Sequence, residues 1–198
     1  MSSVTDSADT VSVDTVVLYN ELAYHDVLPV QWCSREYPLN RFELVGLEES
    51  NLLLLQACVA LEEKPIRDHG EDAGPLAGEL ARLDFKLNLV LQLLGRLVLK
   101  ERMPPGTTIR FNAQGASWTA VGVVPATGDR GVLRIHLHGS LPQPLELVSI
   151  ISGVDGALVK ARFEDLPDPV AELIQRLAFL RHRQDVADAR KSRDPATS

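Results

Sequence analysis

The chain is poor in cysteine, has no basic excess and contains no long apolar run. Its two cysteines, Cys33 and Cys58, form no CxxC pair and stand at no metal-ligand spacing. A disulfide scaffold and a zinc ribbon are therefore excluded, and two reduced, buried thiols are expected. Acidic residues outnumber basic ones by 27 to 20, for a formal net charge of −7. A protein that tracks nucleic-acid phosphates usually shows the opposite balance, so no nucleic-acid partner is expected. The richest apolar stretch, Leu87–Leu99, is interrupted by Asn88, Gln92 and Arg96 and is too short to cross a bilayer. The opening residues MSSVTDSADTVSVD lack the basic and apolar regions of a signal peptide. A cytoplasmic protein without membrane insertion is the expectation. There is no P-loop and no GxGxxG. His136 and His138 alternate onto one strand face beside Arg134, but no third ligand can be placed near them. Trp32 and Trp118 are read as core or barrel-end residues, since large aromatics mostly bury area. No catalytic residue, metal or cofactor is expected, and the chain does not read as an enzyme.

What is present suits one domain with an elaboration: 198 residues, 45% of them hydrophobic. Residues 1–12 are small and polar, and are read as a disordered tail. Residues 13–32 are rich in β-branched and aromatic side chains, which predicts one strand and then an extended piece around Pro29. CSREYPLNRFELVG is read as a loop, and LEESNLLLLQACVALEEK as a helix. After Pro104 and Pro105 the period changes to two. About five short strands follow, one of them GVLRIHLHG, with Leu133, Ile135 and Leu137 on one face. TGDRG is read as a hairpin turn, and Val154–Asp155–Gly156 as the link between the last two strands. A helix capped by Asp168, with Pro169 in its first turn, carries the stripe Val170, Leu173, Ile174, Leu177 and Leu180. Its cations, Arg176, Arg181, His182 and Arg183 among them, are read as solubilising charge near a helix C-terminus. Short antiparallel strands at this spacing predict a small barrel.

Between the first strand and the rest lies LARLDFKLNLVLQLLGRLVLKE. Leu76, Leu80, Leu83, Leu87, Val90, Leu94 and Leu97 recur in alternating steps of four and three. That is a heptad register, with a at Leu80, Leu87 and Leu94 and d at the other positions. A helix of roughly 27 residues would extend about 40 Å, longer than the domain it packs on. Leu91, Leu93 and Val98 widen the apolar face, and leucine at a leans away from two-stranded coils. A homo-oligomer is expected, with a tetramer ahead of a trimer; the alternative is a long internal core helix packed on the barrel and on the helix at 47–63.

The strand-turn RFNAQGASW, the strand LRIHLHG and the closing helix together resemble the PilZ domain, a bacterial receptor for cyclic di-GMP. The helices placed after the first strand resemble an atypical PilZ subgroup in which inserted heptad-repeat helices assemble tetramers. The resemblance implies a mainly β, α+β chain. A six-stranded antiparallel barrel with a C-terminal helix would span 13–45 and 104–184, with a coiled-coil helix pair at 46–103 and a frayed tail at 185–198. The family's ligand motifs are RxxxR and (D/N)xSxxG. Placing Gly115 on the motif glycine puts Arg110 at the Asp/Asn position and Asn112 at the Ser position. Starting the motif at Asn112 instead puts Gln114 at Ser and Ser117 at Gly, so neither register matches. The spacing of Arg130 and Arg134 is read as chance. The resemblance therefore implies an oligomeric signalling adaptor with an unknown protein partner. It would not bind cyclic di-GMP by the usual motifs. The alternative is a receptor using a rearranged site built on Arg110, Asn112 and arginines outside the motif.

Overall fold

The computed structural model describes residues 22–35, 39–63, 83, 86–87, 90, 103–139 and 141–193. Six strands form a closed antiparallel barrel: β1 (Tyr24–Ser34), β2 (Gly106–Phe111), β3 (Gly115–Thr119), β4 (Arg130–Ile135), β5 (Leu145–Asp155) and β6 (Leu158–Phe163). Around the barrel they run β1-β2-β3-β6-β5-β4. Helix α1 (Arg41–Glu62) follows β1, and α2 (Asp168–Arg193) ends the described chain.

β1 closes the barrel. Its first half, Tyr24–Pro29, pairs with β2, and its second half, Val30–Ser34, pairs with β4. Pro29 sits at the changeover, where its missing N–H interrupts neither ladder. Its carbonyl still accepts from the His136 amide at 3.0 Å. The strand is therefore continuous through Pro29 to Ser34, where the sequence suggested a separate extended piece. β5 bridges two neighbours in the same way, and a register shift between Ile151 and Gly153 bends it toward β6. The β5–β6 hairpin turns at Gly156, whose φ of 58° suits glycine. TGDRG is not a hairpin, because β3 and β4 are not neighbours. It is a local turn in which the Asp129 carboxylate accepts from the Ala126 amide at 2.9 Å.

Helix α1 starts at Arg41, inside the segment expected to be a loop. Asn40 accepts from the Phe42 and Glu43 amides at 3.0 Å, and the Glu43 side chain accepts from the Asn40 amide at 2.8 Å. This reciprocal box is written in the sequence as N-x-x-E. At α2 the Pro167 carbonyl takes the first helical bonds, from Val170 and Ala171, one residue before the expected cap. The helix runs to Arg193, through residues that composition alone placed in a tail.

The barrel interior is filled from alternating positions: Ile109 and Phe111, Leu133 and Ile135, Leu145 and Leu147, Val159 and Ala161. The core continues into α2 through Val170, Ile174, Leu177 and Ala178, and into α1 through Leu54, Leu55, Cys58 and Val59. Each fully buried aliphatic side chain of this kind stabilises the fold by roughly 1.5–3 kcal/mol. Trp32 and Trp118 stack with ring centroids 6.3 Å apart, and Trp118 is buried. The Cys58 thiol is pushed up to about 12 by burial and by Glu62, which leaves it inert.

Candidate functional site

The positions aligned with the family's ligand motif serve the hairpin between β2 and β3. Asn112 is 2% exposed, and its side-chain oxygen accepts from the amides of Gln114 at 2.9 Å and Gly115 at 3.2 Å. Its own amide donates to the Gly115 carbonyl at 3.0 Å. Gly115 lies where β3 approaches β6 so closely that a Cβ would run into the Ala161 carbonyl oxygen. Arg110 is opposite His25 on β1 and Ser117 on β3, so these three residues share the outer face of the wall. Arg110, Asn112 and Gly115 are thus close together, and two of them have structural work there.

A cavity of about 820 Å³ lies elsewhere, between the outer wall of β4–β6 and the start of α1. Leu39, Leu44, Val132 and Val148 give it apolar walls, while its charged lining is mixed, Arg35, Arg130 and Arg162 standing with Asp129, Glu164 and Asp165. Arg130 is directly opposite Ile150, which is opposite Arg162, and the Arg35 amide donates to the Arg130 carbonyl at 2.9 Å. Arg35 reaches Glu43 at 3.4 Å and Arg130 reaches Glu164 at 3.5 Å, all four side chains being partly exposed. Asp165 turns the chain out of the barrel with a φ of 49°, a left-handed conformation that aspartate tolerates. The sequence reading missed this cluster. Strand alternation puts Arg162 outward, but only the register brings it level with Arg130 of β4 and with Arg35 just past β1.

His136 lies just past β4. Burial, with Arg134 beside it, holds its imidazole below the usual pKa of 6.5 and so favours the neutral ring. Arg134 is held by Glu146 at 2.5 Å. Among the described residues, no three His, Cys, Asp or Glu side chains gather as a metal site.

Of the heptad positions, Leu83, Leu87 and Val90 are described. All three are helical, and they are 60%, 59% and 50% exposed in the single chain. Leu76, Leu80, Leu94 and Leu97 lie outside the described residues. The partner helix expected for a coiled coil, α1, instead turns its inner face to its own domain. Asn51 is buried there, donating to the Glu146 carbonyl at 2.7 Å and accepting from the Glu146 amide at 3.0 Å. Glu62 and Glu63, at the end of α1, meet α2 through Gln184, Arg181 and Arg176. Arg181 also reaches Asp26 on β1 at 2.6 Å, so one guanidinium ties three elements together. By length and composition α1 would also suit a membrane span. Its outward residues Phe42, Val45 and Leu53 are exposed.

Six strands closed into a barrel, with a helix after the first strand and a second helix at the C-terminus, define the architecture of the chain. The sequence model of the atypical PilZ domain, described as a cyclic di-GMP receptor, matches residues 55–191, and the chain belongs to that family. Among solved structures the chain is similar to a Xanthomonas campestris protein described as a tetrameric PilZ domain self-assembled via an unusual helical bundle. The two share 23% identity over 90% of this chain and 98% of that one, with a TM-score of 0.67. No curated protein matches the chain.

Proposed function

We propose that this protein is a cytoplasmic, non-enzymatic signalling adaptor of the atypical PilZ family. It self-associates through the heptad face Leu76, Leu80, Leu83, Leu87, Val90, Leu94 and Leu97, and it presents its barrels to a protein partner. The observation that carries this reading is the exposure of Leu83, Leu87 and Val90, consecutive d, a and d positions, on helical backbone. Leaving such a row in water is an aggregation liability unless another copy covers it. The tetrameric helical bundle of the similar Xanthomonas protein supports the same answer, four copies. At the motif positions, Asn112 and Gly115 build the hairpin, and Arg110 stands where the family places a carboxylate or amide. The usual route to cyclic di-GMP is therefore closed in this chain.

Light scattering on the wild-type chain tests the assembly. A tetramer of a 21.7 kDa chain has a mass of about 87 kDa, four times the monomer. A particle that stays at the monomer mass at working concentration would sink the proposal.

A further inference from the structure

A second cavity, of about 490 Å³, opens at the rim of the barrel, where the second half of β1 and the end of β3 meet the approach to β2. Trp32, Trp118, Val30 and Val121 line it, with Met103 and Pro104 beside them. Gly131 on β4 makes room for the Trp32 ring, since a Cβ there would meet it at 2.8 Å. The two indoles stack into one aromatic floor. Among the described residues no charged side chain lines the cavity, in a chain that is 24% charged. Trp32 also carries an unmet demand. Its Nε1 is shut off from water, and among the described residues no acceptor meets it. A buried indole N–H normally has a partner, and leaving it without one is costly. We propose that this cavity docks a short, uncharged, proline-bearing segment of a partner protein, one of whose backbone carbonyls accepts from Trp32 Nε1.

Other ways of holding a peptide are closed here. The strands form a closed barrel, so no strand edge is offered for β-addition. Among the described residues no arginine or lysine lines the cavity, so an acidic motif or a free carboxyl terminus finds no counter-charge. An amphipathic helix needs a long groove for anchors three and four residues apart, and this cavity is compact. A polyproline II segment fits on each count. It is extended before it binds, its carbonyls make no internal hydrogen bonds, and its rings lie flat against aromatic faces. The loop after β3 supplies an apolar lip, where Val123 is 94% exposed. Reaching the Trp32 N–H asks this lip to move aside. Val121 and Val123 are both exposed, so their own packing does not hold it in place. The docking rests on the reading of the protein as an adaptor and leaves the heptad face untouched: light scattering reports on the assembly, titration on the cavity.

Trp32 and Trp118 are the chain's two tryptophans, so intrinsic fluorescence of the full chain reads this cavity directly. The probe is a short capped peptide of prolines with leucine at every third position. Its titration should give a saturable change in emission with a Kd below about 1 mM, unaltered by added salt because no charge takes part. The same peptide with alanine in place of proline should bind at least roughly tenfold more weakly, since it is not ordered beforehand. Trp32→Phe keeps an aromatic face and removes the N–H. With Trp118 as the remaining reporter, affinity should fall by roughly threefold to tenfold. Val123→Asp puts a charge on the exposed lip and should weaken the peptide by roughly tenfold or more, with the melting temperature unchanged. No saturable change up to about 1 mM, or an unaltered affinity in either variant, would overturn the site. An alanine peptide that binds as tightly would overturn the ligand class. Binding that disappears with salt would overturn both, because it would place the contact on a charged surface elsewhere.

Discussion

At Gly115 the backbones of β3 and β6 run so close that a single methyl group meets the Ala161 carbonyl oxygen. Neither partner can yield without breaking a ladder that closes the barrel. Gly115→Ala should therefore cost roughly 1–3 kcal/mol in chemical denaturation, far more than a strand substitution normally does. An unchanged midpoint would mean that β3 can shift away from β6. The neighbouring Asn112 carries the hairpin turn through two accepted amide bonds. From the sequence, both residues looked like eroded remains of a ligand motif. The alternation around Ile109 and Phe111 already placed a turn at Gly115. It could not show that Asn112 and Gly115 are held there by backbone geometry, because the close approach of β6 comes from a strand more than forty residues later.

Helix α1 is anchored by one polar residue in an apolar run. The β5 ladder with β6 begins only at Ser149, so Glu146 has no strand on that side. Asn51 supplies the missing partner, meeting both the amide and the carbonyl of Glu146. Asn51→Leu leaves those two groups buried and unsatisfied. It should destabilise the domain by about 2 kcal/mol, although it makes the helix more hydrophobic. A thermal melt in which the leucine variant is as stable as wild type would show that water or a neighbouring group replaces the asparagine. The helix itself was legible over its apolar half. Its first turn was not, because Arg41, Glu43 and the Tyr37–Pro38 pair before them read as loop composition. The capping box is present in the sequence as Asn40 and Glu43, which precede the apolar run and so leave no mark in its period.

For the whole molecule the question is what covers the heptad row. Leu87→Asp combined with Leu94→Asp places two charges at a positions, where a partner helix would have to desolvate them. The double variant should fall to the 21.7 kDa monomer in light scattering while its β-signal in circular dichroism is kept, since both positions fall in the segment between β1 and β2 and on no barrel strand. Retention of the oligomer mass would place the interface elsewhere, with the exposed Phe42, Val45 and Leu53 of α1 the next surface to substitute.

The sequence by itself determined the period of each segment, and with it the barrel, the helical insert and the closing helix. Alternation and heptad spacing are local properties, and they survive in any arrangement that buries one face. Tertiary structure decided the neighbours. It split β1 between β2 and β4, kept β3 and β4 apart despite the glycine turn between them, and folded α1 back onto its own domain. It also lined up Arg35, Arg130 and Arg162 around one cavity. Such juxtapositions depend on barrel closure, which brings together residues far apart in the chain and leaves no trace in the spacing of any one strand.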